Sequence, residues 1–150
     1  MKSIFDKADR DSIIGRIDLL SERVRPIWGT MTVAKMCKHC AICEEYYFGN
    51  IKKRRSLLGR LFGKLAIKAI LKDDESGINK NAPAAPVFLV NETGLNFEKE
   101  RADWKRLISR YETYQKDSFT HWFFGKMSKE QLGQFIYKHS DHHLKQFGVD

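Results

Sequence analysis

The stretch Phe135-Ile136-Tyr137-Lys138-His139-Ser140-Asp141-His142-His143-Leu144-Lys145-Gln146-Phe147 decides how this chain is read. In a helix of 3.6 residues per turn, His139 and His143 stand one turn apart on the same face. With Leu132 set at zero they fall at about −20° and about +20°, and Leu132, Phe135, Ile136 and Phe147 lie within about 60° of them. Both imidazoles therefore occupy the middle of an apolar stripe and point at the core. His142 falls at about −80°, at the stripe's edge. Two inward imidazoles carry a desolvation cost unless their nitrogens find partners. Backbone or carboxylate groups would serve as partners. A metal ion would serve as well, and i, i+4 is the spacing at which one helix offers two histidine ligands.

Outward from this helix, four more helical patterns emerge and no convincing strand. Ile13, Ile17, Leu20 and Val24 recur at helical spacing, with Pro26 closing the run. Thr32 is placed to cap a second helix that continues to Tyr47 or Phe48 and ends at Gly49-Asn50. A third spans about Ser56 to Leu71, followed by a loop containing Gly77, Pro83 and Pro86. The fourth runs from about Phe97 to Tyr114, with Trp104, Leu107, Ile108 and Tyr111 on one side. The histidine helix opens on a capping box, Ser128-Lys129-Glu130-Gln131.

Short links join the first two helices and the last two, so each pair is expected to be antiparallel. The connection over residues 50–93 is long enough to cross a bundle. The expectation is an all-α four-helix bundle over residues 1–150, in up-down-down-up order, with the basic third helix inserted in the crossover between bundle helices two and three.

Composition sets the outer limits. The chain has 150 residues, 42% hydrophobic and 31% charged, the balance of one ordinary globular domain. No apolar run approaches the roughly 20 residues that span a bilayer, and Met1-Lys2-Ser3-Ile4-Phe5-Asp6 lacks the apolar region of a signal peptide. Cys37, Cys40 and Cys43 are the only cysteines; an odd count in one segment argues for a reducing cytoplasm and against a disulfide framework. The net charge of +8 arises in one place. Residues 52–72 hold Lys52, Lys53, Arg54, Arg55, Arg60, Lys64, Lys68 and Lys72 without an acidic residue, and the rest of the chain is neutral. Leucines alternate with these charges, so the segment is amphipathic. Two readings follow: an anionic-surface helix for membrane or nucleic acid, or an insertion helix packed over the bundle with a solvated cationic face. The second is preferred, and no specific nucleic-acid readout is expected, because aromatic interleaving is missing.

A catalytic zinc-type site commonly takes three protein ligands and leaves one position open. His39, on the flank of the second helix's apolar stripe, is the candidate third ligand; a histidine donating to a neighbouring helix is the alternative. Cys37 lies about 160° around the helix from His39, so one ion cannot take both. Cys43, four residues after His39, is a candidate fourth ligand or a small buried hydrophobe.

Trp28-Gly29-Thr30-Met31-Thr32-Val33-Ala34-Lys35-Met36-Cys37-Lys38-His39 resembles the start of helix two in the DinB/YfiT-like superfamily of metalloenzymes. His121-Trp122-Phe123-Phe124-Gly125, followed by the H-x-x-H-H-L-x-Q-F ending, resembles the closing element of one branch of it. Trp122 departs from the proline of that turn, which bears on any role of His121. The resemblance implies a four-helix bundle, often dimeric, whose three histidines hold zinc or nickel. Carried over by position, the ligands are His39, His139 and His143. It also implies a small-molecule substrate, with thiol transfer among the activities of the superfamily. Three neutral imidazoles would leave an ion its full charge, able to acidify a water or bind a thiol as thiolate. Gln146 is a candidate to hold His143 by its second nitrogen, or a surface glutamine. Tyr46 either orients substrate or packs. His121 either lines a pocket mouth or sits exposed in a turn. No carboxylate stands out as a general base.

Overall fold

Asp6 starts the first helix: its carboxylate accepts the Ala8 and Asp9 N–H groups, and α1 (Lys7–Asp18) follows with Ile13 and Ile17 buried. The computed structural model describes residues 1–150. α1 stops well short of Pro26. Leu19 and Leu20 bond back to Arg16 and Ile17, three residues away, and the Ser21 hydroxyl accepts the Arg23 N–H. These local bonds compete with another helical turn, so Val24 lies outside the helix although Leu20 stays buried.

α2 (Val33–Phe48) begins at Thr32, whose hydroxyl accepts the Lys35 N–H, and ends at Gly49, at φ 92°. α3 (Leu57–Ile70) is capped by Ser56. A single 3-10 turn, Pro86–Phe88, punctuates the long connection to α4 (Phe97–Ser109). The expected continuation of α4 to Tyr114 tightens instead into a 3-10 turn at Arg110–Thr113. α5 (Lys129–Gln146) has both arms of the Ser128/Gln131 capping box.

The all-α four-helix bundle is not what forms. Five helices are accompanied by an antiparallel hairpin of β1 (Ser118–His121) and β2 (Gly125–Ser128), with Phe119 opposite Met127 and His121 opposite Gly125. Gly125 takes the left-handed conformation that the turn requires, φ 82°. Four-residue strands give too few alternations for a period-two signal. Tertiary contacts hold them instead. His121 Nδ1 accepts the Phe123 and Phe124 N–H groups, and the Tyr46 hydroxyl accepts the Trp122 N–H at 2.7 Å.

α2 packs along α4, and α1 bridges α4 and α5. The hairpin packs on α5, and α3 packs on β2. Side chains join α2 to α5: Tyr47 meets Phe135 at 6.3 Å between ring centroids, and the histidines continue the same seam.

Candidate metal centre

His39 from α2 and His139 and His143 from α5 meet in this seam. Their ring centroids stand 5.5 Å (His39–His139), 4.9 Å (His39–His143) and 4.7 Å (His139–His143) apart. Three imidazoles around a tetrahedral zinc-type ion would have centroids about 5 Å apart.

The outer nitrogens decide which way each ring presents its lone pair. His39 Nδ1 donates to the Phe88 carbonyl at 2.7 Å, leaving Nε2 as the free base. His143 Nδ1 donates to Gln146 Oε1 at 2.9 Å, and the Gln146 amide nitrogen donates to the Trp28 carbonyl at 2.9 Å. Gly29 makes that arrangement fit. It sits at φ 78°, and a Cβ there would stand 3.0 Å from the Gln146 amide nitrogen. The Trp28-Gly29 turn and the last turn of α5 are thus one unit that orients His143. Holding a ligand histidine by its second nitrogen is the usual support of a metal site. His139 is different: its Nδ1 is buried with no hydrogen-bond partner, while its ring stacks on Phe135.

Burial dominates the electrostatics. It pushes His143 down to about 3, with His39 adding to the effect. It pushes His139 well below the ordinary range, with His143 and His39 adding. It also lowers His39, against the opposing pull of the Phe88 bond. All three are held neutral, the form that binds metal. Each still keeps 7–9% of its surface exposed.

The donors fall into two close sets that share His139, and neither contains all three histidines: His39 belongs to one and His143 to the other. Ligand atoms of His39, Cys43 and His139 lie within 4.8 Å of one another, and so do those of Cys40, His139 and His143. Cys43 Sγ is 3.7 Å from His39 Nε2. Buried histidine and cysteine groups that can hold a metal ion are therefore present. Cys37 belongs to neither set; burial pushes its thiol up to about 12.

The remaining candidates find other places. His121 is neither at a pocket mouth nor exposed: it is buried, stacks on Phe124 at 4.5 Å, and closes the hairpin turn. Tyr46 ties α2 to the same turn and packs against Phe88 and Phe119. His142 leaves the seam. It lies edge-on to Trp28 at 5.4 Å and lines a polar cleft of about 500 Å³ with Lys80, Tyr137 and Asp141.

Sequence reasoning missed the Phe88 and Trp28 carbonyls, Cys40 and Glu44. Backbone acceptors leave no side-chain signature. Cys40 had one: it stands in Cys37-Lys38-His39-Cys40, a C-x-x-C pattern set aside because Cys37 lies across the helix from His39, and the structure groups Cys40 with His139 and His143. Glu44 is a wholly buried carboxyl that accepts from Tyr111 in the α2–α4 seam; burial pushes it up to about 8. It faces away from the histidines, because five residues after His39 is about 140° around the helix.

No curated protein and no solved structure matches this chain. One family profile does, described as a protein of unknown function (DUF1569), and it matches residues 4–149. Nearly the whole chain is spanned, including both histidine-bearing helices and the turns that support them, so this protein belongs to the DUF1569 family.

Proposed function

We propose that this protein is a metal-dependent enzyme acting on a small molecule, by group transfer, thiol S-transfer included, or by hydrolysis. His39, His139 and His143 hold a divalent ion, zinc or nickel. One observation carries the reading: three neutral, buried imidazoles from two helices stand with ring centroids 4.7–5.5 Å apart, and the outer nitrogens of two are held by Phe88 and Gln146. One nitrogen of this cluster, His139 Nδ1, is buried without a partner in the protein, at a cost of about 1–3 kcal/mol. When bound, the ion supplies Lewis acidity and charge for a small nucleophile. The protein contributes fixed ring orientation and exclusion of bulk water. The DinB-like resemblance supports the same reading through its histidine motifs, independently of bundle architecture, and implies a homodimer.

A second reading rests on Cys43. Its sulfur stands 3.7 Å from His39 Nε2 and shares a donor set with His39 and His139, so an ion held by these three would brace the α2–α5 seam.

Elemental analysis of untagged protein tests both. His39→Ala, His139→Ala and His143→Ala should each remove bound metal, whereas His142→Ala should retain it. Gln146→Ala should weaken affinity about 10–100-fold by loosening His143. Metal lost from His142→Ala but retained by His143→Ala would overturn the assignment. For the enzymatic reading, a thiol probe should bind only the metal-loaded protein. Metal content that depends on Cys43, with no thiol binding, would favour the bracing role.

A further inference from the structure

We infer that α3 is a membrane-surface helix that seats its leucines in an anionic lipid bilayer and leaves the rest of the molecule in water. The basic segment was expected to pack its apolar side on the protein. The structure turns that side outward. Leu57, Leu58, Leu61, Phe62 and Leu65 are all 54–78% exposed. The opposite side faces the molecule through Gly59, Gly63 and Ile67, all buried. This orientation is specified by shape. A Cβ at Gly59 would lie 2.5 Å from the Phe123 carbonyl oxygen, and one at Gly63 would lie 2.0 Å from it. Only the glycine face can approach the hairpin so closely. Ser56 N–H to the Trp122 carbonyl, at 3.0 Å, fixes the start of the helix on the same turn.

Charge then selects the occupant. At 100° per residue with Leu57 at zero, the exposed apolar residues span about 0° to 140°. Arg60, Lys64 and Lys68 line one edge, from about −60° to +20°. Lys52, Lys53 and Arg54 are exposed just ahead of the helix, and residues 52–72 contain no acidic residue. An apolar face rimmed by cations matches the interface of an anionic membrane, where leucines enter the acyl boundary and lysines reach back to headgroups. The helix is about 21 Å long at 1.5 Å per residue, suited to lying in the membrane plane. No helix of the protein is long and apolar enough to cross a membrane. A nucleic acid would satisfy the cations but leave the five apolar side chains without a role. A second copy of this face would set two cationic rows together with no carboxylate from the segment to neutralise them.

Co-sedimentation of the full chain with phosphatidylcholine vesicles, with and without phosphatidylserine, tests this. Binding to the mixed vesicles should exceed binding to phosphatidylcholine alone by more than about tenfold and weaken with salt. Leu61→Gln/Phe62→Gln should abolish it with the circular dichroism melt unchanged, since both side chains are exposed. Arg60→Glu/Lys68→Glu should abolish it too. If the first pair disturbs folding, Leu65→Gln alone should still reduce binding. Vesicle binding indifferent to these changes, or none, overturns the proposal. So does tighter binding to duplex DNA or RNA that survives Leu61→Gln/Phe62→Gln. A dimer broken by that same pair, with no vesicle affinity, overturns it in favour of self-association.

Discussion

α5 and α3 depart from the same rule in opposite directions. α5 turns imidazoles into the protein, where burial holds them neutral, and α3 turns leucines and a phenylalanine out into solvent. In ordinary soluble domains leucine and phenylalanine are mostly inside, and histidine is intermediate and seldom clustered in the core. Both departures are enforced by neighbouring geometry. The Trp28-Gly29 turn and Phe88 fix two of the imidazoles, and Gly59 and Gly63 fix the face that α3 presents. The comparison teaches where to look for function: a local conflict with burial rules that the surrounding structure takes trouble to hold in place.

Acid should separate the two helices most strongly. Burial holds His143 down at about 3 and His139 well below the ordinary 6.5, so the unfolded chain takes up protons that the folded chain refuses. Stability from these groups is complete above about pH 6.5 and is lost as pH falls toward 3, on the order of a few kcal/mol in all. α3 has no histidine or carboxylate and nothing to titrate in that window. Urea midpoints of metal-free protein should therefore fall steeply below about pH 6.5. A flat profile down to about pH 4 would remove the buried-imidazole half of the comparison.

Gly63→Ala should come next. Alanine is the better helix former by about 1 kcal/mol, yet the added methyl meets the Phe123 carbonyl. The net effect should be a loss of about 1–3 kcal/mol, with faster hydrogen exchange in α3. A stabilised variant would mean that α3 is free to roll.

His139→Leu in metal-free protein should gain on the order of 1 kcal/mol, because it removes a buried nitrogen without a partner. The same change should abolish metal binding. Destabilisation of the size expected for a core cavity would make His139 a packing residue.

The smallest effect should be Leu61→Gln, within about 0.5 kcal/mol in thermal or urea unfolding, as for any exposed position. A larger loss would show that Leu61 is covered in solution.

Element existence was legible wherever the signal was local. Thr32, Gly49 and the Ser128/Gln131 box mark the ends of α2 and α5 because each cap lies within a few residues of the group it satisfies. The hairpin was not, because its short strands are held by Tyr46, distant in sequence. Likewise, the wheel of α3 showed two faces but not which one docks; that depends on the Phe123 turn. At the site, helical spacing put His139 and His143 on one face, and the structure brings His39 beside them. What could not be read was the support, since the Phe88 and Trp28 carbonyls belong to every residue type alike.

X-ray absorption on zinc-loaded, untagged protein is the most direct test of the metal centre. The account predicts a first shell of light atoms at about 2.0–2.1 Å with the imidazole outer-shell pattern of three histidines and no sulfur. That result leaves a position open for substrate. A sulfur at about 2.3 Å would contradict it, placing Cys43 or Cys40 in the sphere and making the ion a brace between α2 and α5.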